Sequence, residues 1–471
     1  MKNSLITLFL LASSILSAQN YCGTQLSNEQ KAWLSEFQAN YTNAGSRGEE
    51  ILYVPLQIHI VGNDDGSGYM PLSTVLQDIC NLNIQYEAAG MYFYIEGDVN
   101  YINNTSYFIH DWTDGYSMMA TNNVNGRANI YFVNDPAGNC GYFSPSGDAL
   151  AVANSCSGIG NSTIAHELGH FFSLPHTFDG WEYGTPSASN QERVDGSNCE
   201  AAGDGFCDTP ADYASYRWFC ATPPTFTDPD GVEFTPDGSY YMSYSDDGCQ
   251  TQFSIEQIAA MRSYLQSWRS ELLVHPEVTF TDIESTNLIS PEDGTFSEIY
   301  NHIVFTWDGV ENATGYNLQV AYNITFSALA LDMYTPDSFF VATTLGADKS
   351  YRWRVKPVAE ANTCEVTTES RLFTTGVQFT AIENHEPDTK IQIFPNPVIN
   401  GSVINISNEQ EGLNIKHISV TDFQGKEVYS VNIPENAQHL IQLHLPQIAS
   451  GMYAIILFDG QTSQVNKIIV Q

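Results

Sequence analysis

His166-Glu167-Leu168-Gly169-His170-Phe171-Phe172-Ser173-Leu174-Pro175-His176 is the stretch that decides how the first half of this chain is read. On a helix, His166 and His170 share one face, so both imidazoles reach one metal ion. Glu167, beside the first of them, is placed to take a proton from a metal-bound water. Ser173-Leu174-Pro175 breaks the helix and turns the chain back, so that His176 supplies a third nitrogen. Three protein ligands with one open position describe a catalytic zinc, whereas structural zinc sites are closed by four. The competing reading is a buried amphipathic helix with histidines on its rim.

The flanks support a site. Ile159-Gly160-Asn161-Ser162-Thr163 offers a helix N-cap, and Ile164, Leu168, Phe171 and Phe172 form the inward face. Upstream, residues 51–61, 91–95, 128–133 and 149–153 read as strands, and 71–89 carries apolar residues at helical spacing. Strands alternating with long helices predict an α/β domain around a central sheet. From 177 to 240 the chain is rich in Gly, Pro, Ser and Asp with little periodicity, and a last helix over 254–273 closes the domain.

The protein has 471 residues and a formal charge of −37, from 17 basic and 54 acidic side chains. That balance argues against nucleic acid or an anionic membrane as partner. No internal stretch reaches the length of a membrane span. Lys2, an apolar run from Leu5 to Leu16 and then Ser17-Ala18-Gln19 read as a signal peptide over residues 1–18, implying export and permitting disulfides. Nine cysteines leave at least one thiol unpaired within the chain. Cys140 with Cys156 is a plausible local pair. The four from Cys199 to Cys249 tie down the irregular region in a connectivity the sequence leaves open.

Two β-rich modules follow. Residues 284–376 hold short strand-like runs, with Trp307 and Trp353 as core aromatics and His302 expected at the surface. This block resembles a fibronectin type III sandwich. Residues 388–471 are again strand-like, opening near Phe394-Pro395-Asn396-Pro397 and containing Gly451-Met452-Tyr453. They resemble the C-terminal sorting domain of the type IX secretion system; the alternative is another adhesive sandwich. The sorting resemblance implies export through the periplasm of a Gram-negative bacterium to a secreted or cell-surface location, with the secretion machinery as partner.

The first half resembles the metzincins, whose zinc motif is H-E-x-x-H-x-x-G-x-x-H. Tyr240-Tyr241-Met242-Ser243-Tyr244 resembles their Met-turn. Asp204-Gly205-Phe206-Cys207-Asp208-Thr209-Pro210, together with Cys249 through Phe253, Gln257 and Met261-Arg262, matches the pappalysin branch, similar to ulilysin and mirolysin. The resemblance implies a metzincin catalytic domain over 48–278, with a mainly parallel twisted sheet and an active-site helix, preceded by a propeptide over 19–47. It implies zinc on His166, His170 and His176, Glu167 as general base, Met242 as an apolar floor, and Tyr244 as hydrogen-bond donor to the oxyanion. It implies a structural calcium ion held by Asp204, the Cys207 carbonyl and Thr209; the alternative is an Asx-turn cluster. It implies that Cys22, in Cys22-Gly23-Thr24, ligates zinc in the latent form; the alternative is a Cys22–Cys80 disulfide. Release requires a cut before Ile51, with Arg47 the most attractive bond. The family often prefers a basic residue at the scissile bond. One position departs from the motif. Ser173 stands where the family has Gly, and a left-handed turn there costs Ser about 1 kcal/mol.

The leading expectation is a secreted zinc endopeptidase, made as a latent zymogen, that cleaves protein or peptide substrates with a Glu-activated, zinc-bound water. One rival is a zinc peptidase whose third ligand is Glu182 or Glu192. Another is a non-catalytic adhesin or binding protein on a metalloprotease-like scaffold. The intact Glu167 counts against the second, because such a relative has no chemical need for a base.

Overall fold

The computed structural model describes residues 20–41, 50–273, 278, 281–359, 361–364, 366, 369–378, 391–408, 415–421, 427–434, 440–449, 451–460 and 463–470. The signal-peptide stretch and Arg47 lie outside them. The chain divides into two compact units, one up to Thr279 and one from Phe280.

The first unit is built in chain order from β1 (Asn20–Cys22), α1 (Asn28–Asn40), β2 (Leu52–Gly62), α2 (Leu72–Gln85), β3 (Met91–Ile95), β4 (Asn100–Asn103), α3 (Thr105–Phe108), β5 (Ile109–His110), α4 (Trp112–Asn122), β6 (Ala128–Val133), β7 (Asp135–Pro136), β8 (Asn139–Ser144), β9 (Ala149–Ala153), α5 (Thr163–Phe171) and, after a long irregular stretch, α6 (Ile255–Ser267). Its main sheet runs β1-β8-β9-β6-β2-β3, with β4 beside the second half of β2. Every pairing in it is parallel except β8 with β9. Parallel strands are buried on both faces, which is why β6 and β9 are buried end to end. Tyr131, Val133, Ala149 and Ala151 pack with Met118 and Met119 of α4 on one face. The intervening Ile130, Phe132, Leu150 and Val152 point the opposite way by strand alternation.

The sequence reading of the central strands, α2 and the Cys140–Cys156 bridge is met. It missed α4 and β8. The second omission matters, because β8 is the strand beside the site. The irregular stretch is tied by Cys199–Cys207 and Cys220–Cys249, and α6 starts at a capping box made by Ser254 and Gln257.

The second unit contains two pairs of sheets. Leu288–Ser290, Ile303–Trp307 and Phe339–Ala342 form one sheet; Thr295–Ile299, Arg371–Gln378, Ser350–Val358, Gly315–Ala321 and Leu329–Thr335 form the other. Trp307, Trp353, Phe305 and Phe373 fill the core of that pair. His302 is buried, not at the surface, and its Nε2 lies 3.0 Å from the Ser463 hydroxyl. It stands immediately before the strand that opens at the core residue Ile303, so position next to an apolar run outweighed its polarity. The second pair joins Ile391–Phe394, Val403–Asn408 and Leu440–His444 in one sheet and Glu427–Asn432, His417–Thr421, Gly451–Phe458 and Ser463–Val470 in the other, around Ile404, Ile406, Ile418, Val420 and Ile455.

Candidate active site

Helix α5 carries His166, Glu167 and His170 in full burial, against β8 and β9. The chain leaves it through Ser173, whose φ of +78° is the left-handed turn the motif predicts. Leu174 N–H donates to the Gly169 carbonyl at 2.9 Å, and the reversed chain brings His176 back over the helix. His170 Nε2 lies 3.2 Å from His166 Nε2 and 3.1 Å from His176 Nε2. The opposite nitrogens are all engaged. His166 Nδ1 donates to the Tyr241 carbonyl at 2.7 Å and His170 Nδ1 to the Leu174 carbonyl at 2.7 Å, while His176 Nδ1 meets Glu182 Oε1 at 2.9 Å.

The backbone carbonyls hold the proton of His166 and of His170 on Nδ1, so their Nε2 lone pairs face each other and the Nε2 of His176. Such an arrangement is repulsive unless a cation sits at its centre. Tetrahedral zinc with bonds of about 2.0–2.1 Å sets its nitrogens roughly 3.3 Å apart, close to the spacing seen. Burial, then the neighbouring imidazoles, holds His166 and His170 well below the usual histidine range, which is the neutral state a metal ligand needs. Cys22 completes the group: its Sγ lies 3.5 Å from His170 Nε2, and the four donor atoms cluster together. Cys22 is a free thiol, so the alternative bridge to Cys80 is absent. Burial and then Glu167 push that thiol well above its usual range, so only a cation beside it makes a thiolate there.

Strand β1 brings Cys22 in by pairing with β8, Cys22 opposite Gly141. Gly23 is needed at this crossing, because a Cβ on it would stand 2.7 Å from the Trp112 ring. Thr24, which sequence reasoning passed over, donates its hydroxyl to Glu167 Oε2 at 2.7 Å and accepts the Phe143 N–H at 2.7 Å. The same carboxylate oxygen takes the Phe143 N–H at 3.0 Å. Burial raises the Glu167 carboxyl to about 7. Helix α1 locks the segment further: Gln30 donates to the His170 carbonyl at 2.9 Å, and Ser173 donates its hydroxyl to the Gln30 carbonyl at 3.2 Å.

Met242 is fully buried below α5, where a Cβ on Gly169 would run into its sulfur. Tyr244 stacks edge-on to His176 at 4.9 Å and donates its hydroxyl to the Cys22 carbonyl at 3.3 Å. Both sequence-predicted residues therefore join the cluster. Ser162 precedes α5 as expected, but its hydroxyl makes no cap; it turns to Asp247 and Gln250 instead.

Away from the histidines, Asp204 Oδ1 accepts the Thr209 hydroxyl at 2.9 Å and the Phe206 N–H at 3.0 Å. That much is an Asx-type cluster. Yet Asp204 Oδ2 and Glu192 Oε2 are both buried with no hydrogen-bond partner. Burial, reinforced by Asp204, raises Glu192 to about 9, and burial raises Asp204 to about 8. Cys207 is bridged to Cys199, and its N–H donates to Glu256. Glu192 and Glu182 thus stand apart from the third-ligand role: the first faces Asp204, and the second orients His176.

A parallel sheet, a histidine pair on a buried helix, a returning third histidine and an adjacent glutamate define a metallopeptidase. Comparison with known proteins agrees. Residues 100–266 match the profile of peptidase family M43, described as pregnancy-associated plasma protein-A, and residues 392–471 match the secretion system C-terminal sorting domain. The chain thus carries a pappalysin-family peptidase domain and a sorting domain. An extracellular metalloprotease of Colletotrichum graminicola is 24% identical over 51% of this chain and 85% of its own length. One from Pyricularia oryzae is 27% identical over 56% and 96%. One from Arthroderma gypseum is 28% identical over 54% and 86%. Among solved structures, the fibronectin(III)-like modules of Clostridium thermocellum CbhA cover 39% of this chain and 92% of their own at 11% identity, with a TM-score of 0.17, too low to carry weight. The protein is a secreted or surface-attached metalloprotease, and its sorting domain implies the type IX secretion machinery as partner. Among the described residues, no helix is long and apolar enough to cross a membrane.

Proposed function

We propose that the chain is a latent zinc endopeptidase of the metzincin type, with a propeptide over 19–47, a catalytic domain over 48–278, a fibronectin type III-like domain over 284–376 and the sorting domain over 388–471. The convergence of the three histidine Nε2 atoms beside Glu167 carries this reading. His166, His170 and His176 would hold zinc. When bound, zinc supplies a Lewis acid that polarises the scissile carbonyl and acidifies a water. Glu167 would accept a proton from a water held in the site and pass it to the leaving amine. The Tyr244 hydroxyl, freed from the Cys22 carbonyl, donates to the oxyanion of the tetrahedral intermediate. Met242 fills the space under the helix. In the latent state Cys22 would be the fourth donor while Thr24 bonds to the base, so one short segment covers both the histidines and Glu167. Calcium is read on Asp204, the Cys207 carbonyl and Thr209, with the unpartnered Glu192 oxygen as support for a hard cation there.

Casein hydrolysis by the activated protein tests the central claim. Glu167→Ala should lower the rate by about 10²–10⁴ or more while zinc content by elemental mass spectrometry is retained. Unchanged hydrolysis in that variant would refute the mechanism.

A further inference from the structure

Next to the metal ligands the fold buries a side chain that the chemistry above leaves unused. Tyr21, immediately before Cys22 on β1, is 6% exposed. Its ring sits edge-on to His166 and Tyr244, with centroids 5.1 and 5.2 Å away. The Arg217 guanidinium covers its face, with Cζ 4.0 Å from the centroid. Its hydroxyl reaches Gln250 Oε1 at 3.3 Å, Ser162 Oγ at 3.3 Å and Asp247 Oδ1 at 3.5 Å.

The walls of this pocket are held without help from Tyr21. Gln250 spends its amide N–H groups on the Ser243 and Ser245 carbonyls, at 2.8 and 3.3 Å, which turns Oε1 inward. Ser162 donates to Asp247 at 2.6 Å and also lies against Gln250, the contacts for which it forgoes capping α5. Arg217 pairs with Asp247 Oδ2 at 2.7 Å and donates to the Ser245 carbonyl.

We propose that this pocket receives the substrate side chain flanking the scissile bond, that it selects an aromatic ring bearing a hydrogen-bond donor, tyrosine above all, and that Arg217 is the specificity-determining residue. The proposal rests on the peptidase reading. The far end of the pocket presents oxygens from Gln250, Asp247 and Ser162, with a single proton among them on Ser162, so an entering donor is wanted. Phenylalanine fills the same volume and leaves an acceptor unpaired, and sites built to bond a hydroxyl discriminate against its absence. Asp247 alone would draw lysine or arginine. Arg217 cancels that charge and lays a cation on the pocket wall, which repels a basic side chain and stacks on an aromatic face. The expected preference therefore departs from the basic residue that the family resemblance implies.

Two measurements test this. The zinc-loaded full chain, its N-terminal segment released by limited proteolysis, is given a peptide library varied at both residues flanking the cut. Tyrosine should be favoured over lysine and arginine by at least about tenfold, and Arg217→Glu should reverse the order. Equal cleavage of tyrosine and lysine peptides, or a preference unmoved by Arg217→Glu, overturns the proposal. In the uncut chain, alkylation of Cys22 reads the pocket without catalysis. Tyr21→Lys should expose the thiol at least about tenfold faster, Tyr21→Phe by a few-fold, and Arg217→Glu should restore protection to Tyr21→Lys. A Tyr21→Lys chain as protected as the wild type overturns the pocket assignment. A zinc-loaded chain that cuts no peptide overturns the peptidase reading alone, since the labelling series still decides the pocket.

Discussion

At the scale of single residues, the site depends on which nitrogen of each imidazole carries the proton. For His166 and His170 a backbone carbonyl makes that choice; for His176 it is the Glu182 carboxylate, 2.9 Å away. Glu182→Ala should therefore weaken zinc binding about 10–100-fold, read by competition with a chelator, while leaving the helix content unchanged. Undiminished affinity would show that the carboxylate is incidental. Ser173 makes a second case. Its φ of +78° is strained for any residue with a Cβ, yet its hydroxyl bonds to Gln30 of the blocking segment. Ser173→Gly should relieve about 1 kcal/mol of strain and forfeit a hydrogen bond worth about as much. The melting temperature of the latent chain should then barely move, whereas the processed enzyme, with no Gln30 to lose, should melt about 2–4 °C higher. An equal gain in both forms would mean the Ser173–Gln30 bond contributes nothing. The three histidines and Glu167 were legible because helical spacing is written locally. Thr24 and Glu182 were not: Thr24 meets Glu167 only through a strand pairing across more than a hundred residues, and Glu182 looks like any loop acid.

Among the elements, α5 and the central strands follow from periodicity, whereas β8 escaped because Asn139-Cys140-Gly141 mixes polar and small residues and lacks a clean alternation. The irregular stretch between α5 and α6 shows the same limit. Composition marked it as having little periodicity, and it holds only a short antiparallel pair, Phe226–Thr227 with Glu233–Phe234; Asp204 and Thr209 do meet. Glu192 was missed as their neighbour because no local pattern announces two carboxylates converging from a disulfide-tied loop. Their electrostatics make calcium binding testable. Both folded-state values lie above the ordinary carboxylate range, about 9 for Glu192 and about 8 for Asp204. Without a cation, the stability this pair contributes is present in full below its unfolded-state pKa values and is lost as pH rises through 8 to 9. A bound divalent ion offsets that loss by pairing with the ionised forms. Chelating calcium should thus lower the melting temperature more at pH 8.5 than at pH 6, and Glu192→Gln should shrink that difference. A chelator effect independent of pH, or none, would leave the loop held by disulfides and Asx turns alone.

For the whole molecule, the question is what each part contributes to an exported peptidase with a formal charge of −37. That charge opposes self-association and any anionic surface, and it says nothing of fold. Division of labour is better read from the cores. The core of the last pair of sheets, Val398, Ile404, Ile406, Ile418, Val420, Ile455 and Ile468 among them, comes from the stretch matched by the sorting-domain profile except for Ile391, which stands one residue before it. Among its described residues there is no member of the histidine–cysteine cluster or of the Tyr21 pocket. Removing residues 392–471 should consequently leave cleavage of a peptide substrate within about twofold of the full chain, because none of the groups that bind or move a proton is disturbed. It takes away the Ser463 partner of the buried His302, so a stability loss of about 1–3 kcal/mol should be confined to the neighbouring sandwich. Export should fail: cell fractionation would find the truncated chain retained in the periplasm, where the full chain is recovered outside or on the surface. If the truncated chain still reached the medium, address and catalysis would not be separable as the cores suggest. If it were retained but inactive, the tail would have a part in folding the peptidase that its self-contained core does not reveal.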